Sequence, residues 1–296
     1  MSVISVLITT KNRILYLKRA VQSVINSSLC PDEIIIVNDG GELVTDSMFF
    51  LPKENIKLVI INSEFSLGAN KARNLAIKQC NGDFVFFLDD DDYFEVDSIA
   101  KRIKAFDNPD IGLVSCGFSI VKSSNLDGKF RVKIPRMHKV TFNDLIKSGN
   151  LIGSTSLVCM RRETLLNSGL FDESLPCFQD YDLWLRVSRL SKVLIINEPL
   201  VRYTIHDKNQ QISTQWCKYY TTAHYLLEKY SPLIEDKRLQ RSFFSNLLFR
   251  VSLSASNVSY FHQLKFLMMS LGYKFKISRF PLFLPKKIIE VFYPYT

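Results

Sequence analysis

Residues 84–92 read FVFFLDDDD, so that five apolar side chains run directly into four carboxylates. The apolar run is too short for a typical helix and rich in strand-forming residues, which predicts a buried β-strand. Four consecutive acids cannot stay in a core, because a buried charge must be paired or bound to a metal. We therefore place them in a loop at the carboxyl end of the strand, where open α/β sheets bind their ligands. Clustered carboxylate oxygens suit Mg²⁺ or Mn²⁺, which commonly hold substrate phosphates; the alternative is a solvated acidic turn.

The composition is that of a globular protein. The chain has 296 residues, 47% of them hydrophobic and 23% charged, and a net charge of +9. This charge favours anionic partners such as nucleotide phosphates or an acidic membrane, whereas no nucleic-acid-binding motif accompanies it. The six cysteines are scattered without a CxxC pair, which predicts reduced thiols in a cytoplasmic protein. No apolar run approaches the roughly 20 residues that span a bilayer. We expect a cytoplasmic protein, with peripheral attachment to the inner face of the cytoplasmic membrane as the alternative.

Strand and helix patterns alternate through the first part of the chain. Strand patterns cover residues 3–8, 33–37 and 56–61, and helical patterns cover residues 15–25 and 68–79. This alternation predicts an α/β fold with a mostly parallel sheet flanked by helices, like a Rossmann nucleotide-binding half. The first, second and fourth strands end in polar loops, so we expect those ends to converge on one crevice.

From about residue 110 the pattern changes. A strand is followed by a turn at residues 125–128, which predicts a hairpin, and a further strand is predicted over residues 156–160. A helix is predicted over residues 179–190. A last strand over residues 193–196 is expected to be closed by Pro199.

Beyond residue 212 the chain is predicted to be helical. Residues 261–296 carry six lysines and arginines, one acid and nine aromatic residues. Basic and aromatic residues without spanning length are typical of interfacial binding to an anionic membrane. The alternative is a C-terminal helical pair that packs on the domain or forms a homo-oligomer interface.

Seven segments in a fixed order make the chain resemble the family 2 glycosyltransferases, which have the GT-A fold. The segments are SVLITTKNR (5–13), EIIIVNDG (33–40), GANKARN (68–74), FLDDDD (87–92), GLFDE (169–173), QDYDLWLR (179–186) and YTIH (203–206). The resemblance implies an inverting, metal-dependent enzyme that moves one sugar from a nucleotide-sugar donor, a UDP-sugar, to a hydroxyl of a surface-glycan or lipid-linked acceptor. It implies a catalytic domain over 1–212, with a nucleotide-binding half (1–109) and an acceptor half (110–212), and a helical extension over 213–296.

The resemblance also implies the residues of the donor site. Contacts with the nucleotide are implied for Thr9, Lys11, Arg13, Asp39, Arg73, Asp89 and Asp90. Asp39 would accept a hydrogen bond from a uracil imide, and Asp91 and His206 would ligate Mn²⁺ or Mg²⁺, which neutralises the leaving diphosphate. The alternatives are a turn-forming Asp39, a solvated Arg73 and a structural His206. Lys11 stands where the family often has an aromatic residue that stacks on the base, which leaves the identity of the nucleotide open.

Asp180 is the candidate general base. Inverting transfer needs one carboxylate that takes the proton of the acceptor hydroxyl. The family places this Asp after a Glu, whereas this chain has Gln179, which removes a negative charge beside the base. The alternative is that Asp180 is only an acid at the start of a helix.

Two other functions compete with this interpretation. A nucleotidyltransferase that builds a sugar nucleotide would need a glycine-rich phosphate loop, but residues 9–13 contain no glycine. A non-catalytic glycan-binding relative is supported only by Gln179. Processive synthases of the family carry membrane spans and a Gln-x-x-Arg-Trp motif; both are missing from the sequence, which favours transfer of a single sugar.

Overall fold

The computed structural model describes residues 2–51, 56–128, 131–206, 215–256 and 258–283. The chain divides into two compact units. The first comprises Met1–Thr141, Ile152–Glu173 and Asp180–Ile205, and the second comprises Phe142–Leu151, Ser174–Gln179 and His206–Thr296.

Strands and helices alternate through the first unit, and helices dominate the second. The strands in the described residues are β1 (Ile4–Thr10), β2 (Glu33–Asn38), β3 (Lys57–Asn62), β4 (Phe84–Asp89), β5 (Tyr93–Phe94), β6 (Ile111–Lys122), β7 (Arg131–Lys133), β8 (Lys139–Val140), β9 (Cys159–Arg161) and β10 (Lys192–Ile205). The α-helices there are α1 (Ile14–Ile25), α2 (Ala69–Gln79), α3 (Ser98–Lys104), α4 (Phe142–Ser148), α5 (Arg162–Asn167), α6 (Gln179–Val187), α7 (Trp216–Tyr230), α8 (Lys237–Ala255) and α9 (Tyr260–Tyr273).

The first unit is built on one mixed, mostly parallel sheet. Its strand order is β3-β2-β1-β4-β9-β6-β10-β5, with β7 paired to β6 and β8 paired to β10. Strands β3, β2, β1 and β4 are parallel to one another, and β6 is parallel to β10. Strand β9 runs antiparallel to both β4 and β6, and so joins the two parallel groups. The predicted α/β architecture is therefore confirmed.

The central strands are buried on both faces because helices cover the sheet on both sides. Every residue of β2 is buried, as are the first five residues of β4. Helix α1 buries an apolar stripe that includes Leu17, Val21 and Val24, which pack in the same core as Ile34 of β2. Each such side chain stabilises the fold by roughly 1.5–3 kcal/mol.

The carboxyl ends of three neighbouring strands meet at one edge of the sheet. In the parallel pairings Thr10 of β1 lies opposite Asn38 of β2, and Thr9 lies opposite Asp89 of β4. The loops that follow β1, β2 and β4 therefore start side by side. The predicted convergence of these strand ends is confirmed.

Two strand predictions in the second half of the first unit are wrong in their bounds. The prediction that Pro199 closes a strand is wrong, because β10 continues through it to Ile205. Proline lacks an N–H, and the ladder to β6 accommodates it by register shifts on both sides of Pro199. A Cβ on Gly117, which lies opposite Pro199, would come within 2.8 Å of the Glu198 carbonyl oxygen. The strand predicted over 156–160 is also shorter, since a 3₁₀ turn occupies Thr155–Leu157 before β9 begins.

The described part of the second unit is mostly helical, and its residues beyond 212 are helical as the sequence predicted. Helices α8 and α9 lie close enough for Ser245 Oγ to donate to the Ser270 carbonyl at 2.7 Å, while Ser270 Oγ donates to the Ser245 carbonyl at 2.8 Å. Asp236 caps α8 and Ser259 caps α9, each accepting a hydrogen bond from a backbone N–H of the first turn. Among the described residues no helix has the length and apolarity to cross a membrane. The basic and aromatic tail predicted to bind a membrane lies partly outside the described residues, from residue 284 onward.

Candidate active site

The acid run forms a tight loop at the end of β4. The backbone N–H of Asp92 donates to the Asp89 carbonyl at 3.1 Å, which closes the loop. Asp90 is buried and accepts hydrogen bonds from Thr10 Oγ1 at 2.7 Å and Arg13 Nη1 at 3.2 Å. Burial and the charge of Asp91 raise the pKa of Asp90 to about 6. The hydrogen bond from Thr10 and the charge of Arg13 lower this pKa but do not cancel the effect of burial.

Arg13 joins the end of β1 to this loop. Its Nη1 lies 2.7 Å from Asp91 Oδ2 and 3.2 Å from Asp90 Oδ1, so that one guanidinium bridges two carboxylates. Thr9 lies opposite Asp89 in the sheet, and Lys11 follows β1; their predicted contacts with a nucleotide stay predictions. Within the described part of the chain, the side chains of Thr9 and Lys11 make no hydrogen bond to the acid run. Thr9 makes no such hydrogen bond because neighbouring side chains of β1 point to opposite faces of the sheet, and Thr10 is the one that points toward Asp90.

Arg73 approaches the loop from α2. It is buried, its Nη2 lies 2.6 Å from Asp89 Oδ1, and its guanidinium carbon lies 5.6 Å from the centre of the Phe171 ring. Thr155 Oγ1 donates to the other oxygen of Asp89 at 3.1 Å. The alternative of a solvated Arg73 is wrong, because the side chain is buried and ion-paired at the site.

Asp39 lies at the end of β2 and holds the loop that leads into α2. Its buried carboxylate accepts hydrogen bonds from Ser66 Oγ at 2.9 Å, from the Leu67 N–H and from the Gly68 N–H at 3.1 Å. The carboxylate thus already stabilises three donors of one loop. The contact of Asp39 with the nucleotide base stays a prediction. The loop at residues 66–68 already fixes the position of the carboxylate that would make this contact.

Gly41 allows the loops after β1 and β2 to touch. Gly41 has a φ of +103°, and a Cβ at this position would lie 2.0 Å from Asn12 Oδ1. That oxygen accepts a hydrogen bond from the Glu42 N–H at 3.0 Å. A side chain at residue 41 would separate the two loops, so glycine is required there.

Sequence reasoning missed a second layer of residues around the acid run. Asp92 is only 1% exposed, and its Oδ1 accepts a hydrogen bond from the Thr204 N–H at 2.8 Å. Burial and the charge of Asp91 raise the pKa of Asp92. Arg19 of α1 donates to the Asp91 carbonyl and, at 2.9 Å, to Thr204 Oγ1. The guanidinium also lies 5.1 Å from the ring centre of Tyr93, a cation–π distance.

These contacts join the end of β10 to the acid run. Thr204 and the acid run are more than a hundred residues apart in the sequence, so no local pattern could identify the pair. The one local signal was Arg19 itself, a cation between Leu17 and the apolar pair Ala20 and Val21, which belong to the buried face of α1.

The carboxylates fit a divalent cation held jointly with a substrate. In the described parts of the chain, no group of three or more His, Cys, Asp or Glu side chains is arranged to hold a metal ion. Mg²⁺ and Mn²⁺ commonly take one or two carboxylates and complete their shell with phosphate oxygens and water. Burial first and the charge of Asp91 second raise the pKa of Asp90, and a bound cation would favour its ionised form. Asp91 therefore stays the predicted ligand, with hard oxygen donors of the required kind.

His206, the second predicted metal ligand, follows the last residue of β10 and belongs to the second unit. Its role as a ligand stays a prediction.

Asp180 is the second residue of α6. It is half-buried, and its Oδ1 accepts a hydrogen bond from the Tyr181 N–H at 2.7 Å. Asp182, two residues on, is fully buried and lies 2.8 Å from Arg186 Nη2 in an i,i+4 ion pair. The two acids at the start of the helix therefore have different surroundings: Asp182 is held in a buried ion pair, whereas Asp180 is half-buried and contacts the backbone of the first turn. The role of Asp180 as a base stays a prediction.

Comparison with known proteins places these residues in a family. A family model described as Glycosyl transferase family 2 matches residues 5–167, more than half of the chain. The uncharacterized glycosyltransferase YwdF of Bacillus subtilis is 30% identical over 207 residues, which cover 69% of this chain and 75% of that protein. The Escherichia coli protein WfgD, named a UDP-Glc:alpha-D-GlcNAc-diphosphoundecaprenol beta-1,3-glucosyltransferase, is 26% identical over 196 residues, 66% of this chain and 73% of WfgD.

The fold is also similar to a solved structure. The crystal structure of residues 1–349 of Staphylococcus aureus TarS in complex with UDP-GlcNAc superposes with a TM-score of 0.68. The match covers 98% of this chain and 89% of that one at 17% sequence identity.

Proposed function

Because this chain belongs to glycosyl transferase family 2, and is thus a glycosyltransferase, we propose that it transfers one sugar from a UDP-sugar to an acceptor hydroxyl with inversion at the anomeric carbon. The acceptor is a surface glycan or a lipid-linked sugar. The observation that carries this proposal is the cluster at the ends of β1, β2 and β4, where Arg13 and Arg73 meet the acid run. Family membership sets aside the nucleotidyltransferase alternative.

The donor binds at this cluster. Asp39, fixed between β2 and the loop before α2, supplies an acceptor for the base, and Asp89 and Asp90 lie beside the ribose. Arg13 and Arg73 each hold a carboxylate and present further N–H donors to the diphosphate, a geometry for which a guanidinium is suited. Asp91 would ligate Mg²⁺ or Mn²⁺ together with the diphosphate, with His206 as the second protein ligand. A bound cation neutralises the charge that develops on the leaving nucleoside diphosphate.

Asp180 acts on the acceptor hydroxyl as the general base. The acceptor oxygen attacks the anomeric carbon from the face opposite the diphosphate, the bond from that carbon to the diphosphate oxygen breaks, and the hydroxyl proton passes to Asp180. A half-buried carboxylate at a helix start suits this task, because it reaches the substrate while the first turn holds it in one orientation.

A lipid-linked acceptor would bring the protein to the cytoplasmic face of the membrane. The exposed aromatic residues Phe261 and Phe275 of the second unit support peripheral attachment. Part of the positive charge that favoured this hypothesis is turned inward, since Arg279 is buried and donates to Ser245 of α8. Attachment would therefore rest more on apolar contact than on surface charge.

Turnover against a panel of donors tests the proposal. UDP-glucose, UDP-N-acetylglucosamine, UDP-galactose and GDP-mannose are each incubated with the protein and Mn²⁺, with and without EDTA, and release of nucleoside diphosphate is measured. Water can serve as a slow acceptor, so the assay does not require the natural one. We expect release from one UDP-sugar, its loss with EDTA and its return when Mn²⁺ is added in excess.

Two results would contradict parts of the proposal. If EDTA leaves the release of nucleoside diphosphate unchanged, the reaction does not depend on a metal ion. Binding of a UDP-sugar without release, even with a prenyl-diphosphate sugar as acceptor, would favour the non-catalytic alternative that Gln179 suggested.

A further inference from the structure

Four cations of the second unit lie close together near α4, α8 and the segment after α9. They are Lys147, Lys274, Lys276 and Arg279. Asn246 of α8 is at their centre, because its Oδ1 accepts hydrogen bonds from Lys276 Nζ at 3.0 Å and from Arg279 Nη2 at 2.9 Å. We call these four residues with Asn246 the basic cluster.

Arg279 is the buried support of the basic cluster. Its side chain is 2% exposed, and its Nη1 donates to Ser270 Oγ and, at 2.6 Å, to Ser245 Oγ. These contacts fix the guanidinium between α8 and α9. Arg279 therefore contributes a stationary positive charge rather than a flexible ligand contact.

The two lysines are partly buried and face this charge. Lys274 Nζ donates to Ser242 Oγ at 2.7 Å, so both ammonium groups contact neutral oxygens. In the described part of the chain neither Lys274 nor Lys276 forms an ion pair. Burial and the charge of Arg279 lower the pKa of Lys276 to about 8, and burial and Lys147 lower that of Lys274. The fold thus holds like charges together at a cost in stability.

We propose that the basic cluster binds a phosphate or diphosphate oxyanion, with the ammonium groups of Lys274 and Lys276 as its charged donors. An ammonium group carries three donors on a flexible stem, so each lysine can keep its oxygen contact while it binds a phosphate oxygen. Lys147 follows Ile146, whose carbonyl accepts from Asn246 Nδ2 at 3.2 Å, and its exposed charge acts on Lys274. The anion would offset the repulsion that the packing creates. This site does not depend on the glycosyl transfer proposed above.

Binding of pyrophosphate tests the site. Thermal unfolding of the full-length protein is followed against sodium pyrophosphate in EDTA, so that no divalent cation can hold pyrophosphate at the acid run. We expect the melting temperature to rise with pyrophosphate, and Lys276→Gln to weaken the apparent affinity about tenfold, the effect of losing one charge-assisted contact. Lys265→Gln on the exposed side of α9 makes the same change in net charge and is expected to keep the parent affinity. Each variant is compared with its own melting temperature without ligand.

A second arm identifies the source of the anion. Flotation with phosphatidylglycerol vesicles, with phosphatidylcholine vesicles as control, reports binding to phosphate carried by a lipid. Loss of both pyrophosphate and vesicle binding in Lys276→Gln supports a lipid-borne phosphate, and loss of the pyrophosphate response alone supports a soluble one. The proposal is overturned if pyrophosphate does not stabilise the parent, or if it stabilises Lys276→Gln as strongly as Lys265→Gln.

Discussion

Replacing each acid at the start of α6 by its amide should separate catalysis from stability. Asp180→Asn keeps the size of the side chain and the oxygen that accepts from the Tyr181 N–H. An amide cannot take a proton at neutral pH, so kcat should fall roughly 10²- to 10⁴-fold, the usual contribution of general-base catalysis. The helix start loses one negative charge, which costs about 0.3–1 kcal/mol. At roughly 2–4 °C per kcal/mol, the melting temperature should fall by no more than about 4 °C.

Asp182→Asn should have the opposite profile. Asp182 is fully buried and lies 2.8 Å from Arg186, whose side chain is 19% exposed. Removing one partner of a buried ion pair costs roughly 3–5 kcal/mol. Asparagine still accepts a hydrogen bond, and Arg186 also donates to the Ser168 carbonyl, so we expect about 2–3 kcal/mol. The melting temperature should then fall by roughly 4–12 °C.

Steady-state kinetics, donor titration and thermal unfolding of both variants measure the two effects. Asp182 lies about 200° round the helix from Asp180, so it cannot reach the same hydroxyl, and its kcat should stay near the parent value. UDP affinity should be unchanged in Asp180→Asn, because the base faces the acceptor. Equal loss of kcat in both variants, with donor binding lost as well, would refute the assignment of Asp180 as base.

Four further predictions concern the other residues of the site and the second unit. Asp91→Ala should abolish Mn²⁺-dependent binding of UDP in a calorimetric titration; unchanged binding would show that Asp91 is not the metal ligand. Arg19→Met should raise KM for the donor about tenfold by releasing the Asp91 carbonyl and Thr204, whereas an unchanged KM would make Arg19 purely structural. Phe261→Ser should weaken flotation with anionic vesicles, and equal flotation would favour the interface alternative. Lys276→Met should raise the melting temperature at pH 7 but little at pH 10, because burial penalises the charged amine below its lowered pKa of about 8 and the penalty disappears as pH rises toward 10.5.

The positions of the strand ends could be predicted from the sequence, and most contacts between them could not. Runs such as 84–88 identify buried strands, and parallel strands necessarily bring their carboxyl ends to one edge. The sequence therefore places Asp39 and Asp89 at the same edge. That Asp39 holds the loop at 66–68, or that Arg73 pairs with Asp89, depends on how α2 packs against the sheet, and no local periodicity encodes that packing.

Local rules failed where tertiary pairing outweighed them. Pro199 predicts the end of a strand, yet the neighbouring strand β6 pairs on both sides of it and keeps β10 extended. Gly117, which leaves room for the backbone of β10 beside Pro199, lies on a different strand. Nothing in the sequence around Gly117 predicts that contact. For the same reason Thr204, five residues beyond the proline, was not recognised as a neighbour of the acid run.

The register shifts around Pro199 make the length of the segment from Ile196 to Val201 critical. Side chains alternate along an extended chain, so the number of residues between the two regular halves of β10 decides which face Thr204 occupies. Deleting or inserting a single residue there would move the side chains at the end of β10 to the opposite face of the sheet. Thr204 would then point away from Asp91 and Asp92. The spacing between Ile196 and Val201 within β10 therefore determines whether Arg19 and the acid run meet the end of this strand.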